Sequence, residues 1–156
     1  MVVDDKRRAE LIATLDASIS QFDREARGNS GRAVGRAKRI TGQDWTFAAL
    51  FILEGLKENE AIRMTELAQL VGTTPPTVTK VIKDLEARGF VDRTAHEWDG
   101  RVGLLSLTPE GRQVAEAIAR TRLEALQQVL GAWNDDDLEQ FSRLFGRLRA
   151  DMRRLT

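Results

Sequence analysis

At 156 residues the chain can form one domain, or a small module with helical extensions, and can bury a core without metal or disulfide staples. It contains no cysteine, which excludes disulfides, thiolate metal sites and cysteine-based peroxide sensing. Lysine plus arginine and aspartate plus glutamate balance at 24 each, so any nucleic-acid surface must be local and not a property of the whole chain.

No stretch approaches the roughly 20 apolar residues of a membrane span. Residues 1–8 are charged with no apolar run behind them, so the expectation is a cytoplasmic protein without signal peptide or membrane contact. From 4 to 27, Leu11, Ile12, Leu15, Ile19 and Phe22 recur at three- and four-residue steps and predict a long amphipathic first helix. Gly28, Gly31, Gly35 and Gly42 then interrupt the chain, and the stretch 28–43 carries Arg32, Arg36, Lys38 and Arg39 with no acid. It reads as a glycine-punctuated basic connection, either simply solvated or serving as an arm for backbone phosphates. Residues 44–58 are apolar almost all round, with Trp45, Phe47, Leu50, Phe51, Ile52, Leu53 and Leu56, and predict a central buried helix.

Two short helices meeting at a tight turn come next. Thr65 is a cap for a helix over 66–71, with Gly72 as its left-handed stop. Thr74 caps a second helix that starts at Pro75, where a missing amide costs nothing. Val78, Val81, Ile82 and Leu85 fall on one side of that helix; Pro76, Thr79, Lys80, Lys83 and Ala87 look outward. Gly89 ends it, and Phe90, Val91, Arg93 and Thr94 suit a short strand. A polar tip over 95–101, with Asp99-Gly100 as a hairpin signal, leads to a second strand over 102–107 and completes a two-stranded wing. Thr108 and Pro109 open a helix that Val114, Ile118, Leu123, Leu126 and Leu130 carry to Gly131. Asn134 or Asp135 opens the last one, whose stripe of Leu138, Phe141, Leu144, Phe145, Leu148, Met152 and Leu155 is longer than a small winged domain needs for its own core. The stripes on the first and last helices predict an obligate dimer. The fold class expected is mainly α with a small β-wing, a winged helix-turn-helix with terminal dimerisation helices.

The segments Thr65-Glu66-Leu67-Ala68 through Thr77-Val78-Thr79-Lys80 and Leu85-Glu86-Ala87-Arg88-Gly89-Phe90-Val91 are generic to helix-turn-helix proteins. Asp99-Gly100-Arg101, followed by Leu105, Leu107, Thr108 and Gly111, is more specific, and together these residues resemble the MarR family of winged-helix regulators. The resemblance covers nearly the whole chain. It implies a triangular homodimer built from the first and last helices, binding as a transcription regulator, usually a repressor, to a pseudo-palindromic operator in double-stranded DNA. It divides the chain into an N-terminal dimerisation helix and basic connection (1–43), a DNA-binding domain (44–111) and C-terminal dimerisation helices (112–156). Many members release DNA when a small aromatic or phenolic effector enters the crevice beside the winged module. Phe22, Trp45 and Phe51 are apolar material for such a crevice, although core packing accounts for them more cheaply. The chain departs from the family pattern at the tandem Pro75-Pro76, which removes two amides from the start of the recognition helix, and in the glycine- and arginine-rich connection.

The DNA-binding residues expected are Thr74, Thr77, Thr79, Lys80, Lys83, Arg88, Asp99 and Arg101. The first turns of a recognition helix reach base edges in the major groove, where threonine bonds to bases or phosphates and lysine donates to guanine or neutralises phosphate. Simple helix-start chemistry is the alternative for the threonines. By the resemblance, Arg101 enters the minor groove or grips its edge while Asp99 holds it in position, a shape-reading contact; the alternative is a surface ion pair. Arg88 resembles a phosphate-contacting position and is equally a cation favoured at a helix C-terminus.

Other residues invite less. His96 alone, without cysteine, makes no ordinary zinc site. Asp135, Asp136 and Asp137 suit a helix N-terminus better than a metal. Trp98 sits at the wing tip and is unassigned. No phosphate loop, catalytic triad or metal motif occurs, so neither enzyme activity nor a cofactor is expected. The competing class is a winged module used for protein interaction. A metal-sensing helix-turn-helix repressor is a further rival, disfavoured by the absent cysteines and the long terminal helices.

Overall fold

The computed structural model describes the backbone of residues 2–96 and 99–154 and the side chains of 5–94 and 103–154. It falls into two units, residues 1–121 and 122–156. The first begins with α1 (Val2–Gly28) and α2 (Ser30–Thr41). Every described side chain of α1 is exposed, including the apolar stripe from Leu11 to Phe22, the last 67% accessible. The stretch read from sequence as a basic connection is therefore corrected: most of it is the helix α2, despite Gly31 and Gly35. The gain that offsets two helical glycines is packing, since Ala37 is buried and Ala33 and Val34 lie against the core.

The core is built around α3 (Phe47–Lys57), whose Ile52, Leu53 and Leu56 are fully enclosed. The central helix is shorter than the 44–58 expected, because Thr46 caps it by accepting from Ala49 N–H at 3.1 Å. Phe47 and Phe51 form an edge-on pair on its exposed side. A strand that sequence reading missed, β1 (Ile62–Arg63), precedes α4 (Met64–Leu70). The expected Thr65 cap is displaced by two residues: Arg63 is the N-cap, and its N–H donates to the Glu66 carboxylate at 3.0 Å. Gly72, at φ 64°, stops that helix as expected.

The second helix of the pair, α5 (Pro75–Ala87), buries Val78, Ile82 and Leu85 completely. It ends in a Schellman turn: Phe90 N–H donates to Leu85 C=O at 2.9 Å and Gly89 N–H to Glu86 C=O at 3.0 Å, with Gly89 at φ 75°. The chain leaves as β2 (Val91–His96) and returns as β3 (Asp99–Leu107). Because β1 also pairs with β3, the wing base is a three-stranded antiparallel sheet in the order β1-β3-β2, not the two strands expected. Both wing strands run further than predicted. His96 pairs with Asp99, so Asp99 and Gly100 belong to the strand and not to a turn. Trp98 and Leu155, and the side chains of His96, Asp99 and Arg101, lie outside the described residues.

The start of α6 (Pro109–Leu130) is locked to the exit of α5. Thr108, itself buried, donates through Oγ1 to Gly89 C=O at 2.7 Å and accepts there from Gly111 N–H at 2.9 Å, while its own N–H donates to Phe90 C=O. At Gly111 an added Cβ would collide with the Phe90 carbonyl oxygen, so only glycine lets the helix approach this closely. The Thr-x-x-Gly start of α6 is thus a packing device. In the second unit, α7 (Asp135–Arg153) opens at Asn134, whose Oδ1 accepts from Asp137 N–H at 2.8 Å. Asp135, Asp136 and Asp137 occupy its first turn, and α7 has no buried residue. Trp133 packs edge-on against Phe141, which stacks on Phe145.

Candidate nucleic-acid interface

The buried row of α5 fixes which way its other face looks. With Val78, Ile82 and Leu85 held in the core, Thr74, Thr77, Lys80 and Lys83 are exposed and Thr79 is half-buried. Among the described residues neither Lys80 nor Lys83 has an ion-pair partner, so both ammonium groups are available to an anion. Because the first two helical positions are proline, Thr77 is the first helical residue with an N–H to offer, and the next, Val78 N–H, already donates to Thr74 C=O at 3.1 Å.

The three threonines differ in what they can offer. Thr74 does not cap through its side chain; its hydroxyl meets the Thr77 hydroxyl at 3.0 Å, so the pair spends one hydrogen internally and keeps the other. Thr79 Oγ1 donates back to Pro75 C=O at 2.9 Å. What remains to Thr79 is acceptor capacity and a methyl group, which suits a base amino group or thymine better than a phosphate.

Two further contacts fix the wing and the helix end. Arg93 on β2 places Nε 3.0 Å from the Glu86 carboxylate of α5, and its stem crosses β3 at Gly103, where an added Cβ would come within 3.0 Å of it. Sequence reading missed this tether; the glycine in an otherwise apolar strand was its only signal. Arg88 is the C-cap of α5, and its guanidinium is engaged on several sides by Asp84, Gln43, Trp45 and Phe90. Close by, Lys38 Nζ lies 2.7 Å from Asp44, and that hydrogen bond and charge hold the Asp44 carboxyl below its ordinary pKa, with a smaller contribution from Arg88.

The structure thus exposes Thr74 at the N-cap and Thr77, Lys80 and Lys83 along the outer side of α5, with the half-buried Thr79 at its margin, while the backbone of Asp99 and Arg101 belongs to β3. No group of metal-ligating side chains occurs among the described residues, and no helix among them is long and apolar enough to cross a membrane. Helix-turn-helix, three-stranded wing base and exposed cationic helix face together define a winged-helix DNA-binding fold. Residues 45–102 match the MarR family. The chain is 35% identical over 126 residues to the uncharacterised HTH-type transcriptional regulator Mb0904 of Mycobacterium bovis, covering 81% of each protein. It is 29% identical over 106 residues to the HTH-type transcriptional repressor MdtR of Bacillus subtilis, covering 68% of each. Its fold is that of Streptococcus pneumoniae FabT, solved in complex with DNA, with a TM-score of 0.70 at 17% identity over 90% of this chain and 99% of that one. The chain belongs to the MarR family of DNA-binding transcription regulators, and it is not an enzyme.

Proposed function

We propose that the protein is a cytoplasmic, homodimeric repressor that reads a pseudo-palindromic operator. Thr74, Thr77, Thr79, Lys80 and Lys83 of α5 face the major groove, and the wing offers Arg101, positioned by Asp99, to the minor groove. The observation that carries this reading is the division of α5: one face is fully buried, and the opposite face presents two lysines with no ion-pair partner among the described residues. Dimerisation is supported by the apolar stripe of α1, exposed from Leu11 to Phe22, and by Phe141, Leu144, Phe145 and Met152 of α7, which are exposed while Leu138 and Leu148 are half-buried. In this reading residues 1–43 and 112–156 serve the dimer and 44–111 serve DNA. Release by a small aromatic effector belongs to the same reading, with the exposed Phe47–Phe51 pair as apolar surface for it. Trp45 is unavailable for that purpose, being buried beneath Arg88.

Selection of bound duplexes from random DNA tests the reading. The expected outcome is a palindrome with half-sites one helical turn apart, about 34 to 36 Å; enrichment of a single asymmetric half-site overturns it. On the selected operator, Lys80→Ala should lose discrimination against scrambled DNA, by about 1 to 3 kcal/mol if the side chain reads a base. Arg101→Ala should weaken both duplexes and flatten the salt dependence. Parent-like binding of Arg101→Ala at every salt concentration removes the wing from the interface.

A further inference from the structure

Arg88 ends the recognition helix in a setting that an arginine waiting for a phosphate does not need. Its guanidinium carbon lies 4.2 Å from the centroid of the Trp45 ring and 5.2 Å from that of Phe90. One nitrogen donates to the Asp84 carboxylate at 3.1 Å, one turn back on α5, and another to Gln43 Oε1 at 2.8 Å. The side chain is only 23% accessible. The surface beneath it is itself held: Trp45 is buried, its Nε1–H donates to Thr41 Oγ1 at 2.8 Å, and Thr41 donates to Ala37 C=O at the end of α2. A planar cation with a fixed fork of donors meets all of these partners together, whereas an ammonium cannot.

We propose that Arg88 is a positioning residue that clamps the C-terminal end of α5 to the α2–α3 elbow and so sets the angle at which the recognition helix meets DNA, instead of contacting a phosphate itself. This rests on the reading of α5 as the DNA-reading helix. Three features support it. Two of the five N–H donors and the ring-facing surface of the guanidinium are already committed to partners within the chain. The Asp84 carboxylate, 3.1 Å from the guanidinium, already compensates its charge and repels an approaching anion. The clamp also acts where it has leverage, because Gly89, the next residue, turns the chain into the wing and accepts from Thr108.

The test compares Arg88→Lys and Trp45→Phe with the parent on its selected operator and on a scrambled duplex, between about 50 and 200 mM salt. Lysine preserves the charge that a phosphate contact needs and loses the stacked fork; phenylalanine preserves apolar volume and weakens the cation–ring contact. The clamp predicts that Arg88→Lys loses about tenfold or more in operator affinity, the scale of one misplaced base contact, with scrambled DNA within about twofold and an unchanged salt slope. Trp45→Phe should fail in the same manner to a smaller extent. If Arg88→Lys binds both duplexes like the parent, or if Arg88→Met flattens the salt slope by about 0.9 for each phosphate left unneutralised while Trp45→Phe has no effect, the residue is a phosphate contact and the clamp is overturned. If the parent prefers neither duplex, the operator reading fails, and amide exchange of the free protein decides the clamp alone. Faster exchange at 84–90 and 43–46 in Arg88→Lys upholds it, and unchanged exchange refutes it.

Discussion

The winged module and the last helix carry the same kind of amphipathic sequence and reach opposite ends. In the module, Leu53, Leu56, Leu67, Ile82, Leu85 and Leu105 are almost completely enclosed. In α7, Phe141, Leu144, Phe145 and Met152 recur with the same helical spacing, yet none is buried, and Phe145 remains 48% accessible. Periodicity therefore states that a face must be covered and not by what. Within the module the cover comes from neighbouring elements of the same unit: β1 and β3 pair with each other, and α4 and α5 bring their apolar residues into one cluster with α3. For α7 a second copy of the chain is the cover proposed above.

The largest expected effect separates the two regions by their dependence on protein concentration. Leu53→Ala empties a filled site in the module and should cost about 2 to 5 kcal/mol in denaturant unfolding, whatever the concentration. Phe145→Asp should instead leave the helix content of the subunit intact and cost about 2 kcal/mol per subunit through assembly, seen in sedimentation as a dimer that dissociates on dilution. A monomeric parent, or a Phe145→Asp protein that unfolds independently of concentration, would break the comparison.

The two helix caps sharpen it at smaller magnitude. Thr108→Ala removes a buried hydroxyl that joins α6 to the exit of α5 and leaves Gly89 C=O and Gly111 N–H without it, so about 2 kcal/mol should be lost in thermal unfolding. Asn134→Ala removes an exposed cap at the start of α7 and should cost about 1 kcal/mol. Equal costs would mean that the Thr108 network adds nothing beyond an ordinary cap.

The smallest effect concerns pH. Asp44 is held below its ordinary pKa in the folded protein by Lys38, so its contribution to stability is present above the unfolded carboxylate value and fades as pH falls through the lower folded value. The pair is exposed, so the contribution is small and screened by salt. Asp44→Asn should be slightly less stable than the parent at neutral pH and low salt, and indistinguishable from it in acid. A difference that grows on acidification has the wrong sign for this account.

Much of the module was legible because its signals are local. Thr74 and Pro75 start the recognition helix, Gly72 and Gly89 supply positive φ where helices stop, and Asn134 caps α7, each through contacts within a few residues. The alternation of buried and outward residues along α5 likewise follows from helical geometry, and with it the outward placement of Lys80 and Lys83, whereas Thr79, expected on the same side, is half-buried. Where sequence reading failed, the deciding contact was distant or the element too short. Gly31 and Gly35 argued for a loop, and only the packing of Ala33, Val34 and Ala37 against the core makes α2 a helix. A two-residue strand has no period to detect, and β1 exists because Ile62 and Arg63 pair with Leu105 and Leu104.

What the sequence by itself determined is the order of helices and wing, the family and the face of α5 that looks outward, since these follow from caps, glycines and periodicity along a continuous stretch of chain. What only the tertiary structure decided is the setting of individual charges. Arg88 stood evenly between a phosphate contact and a helix-terminal cation, and its partners Gln43 and Trp45 lie more than 40 positions earlier in the chain. A guanidinium is equally soluble, charged and long in either role; the rings and carboxylate that surround it after folding are what distinguish them.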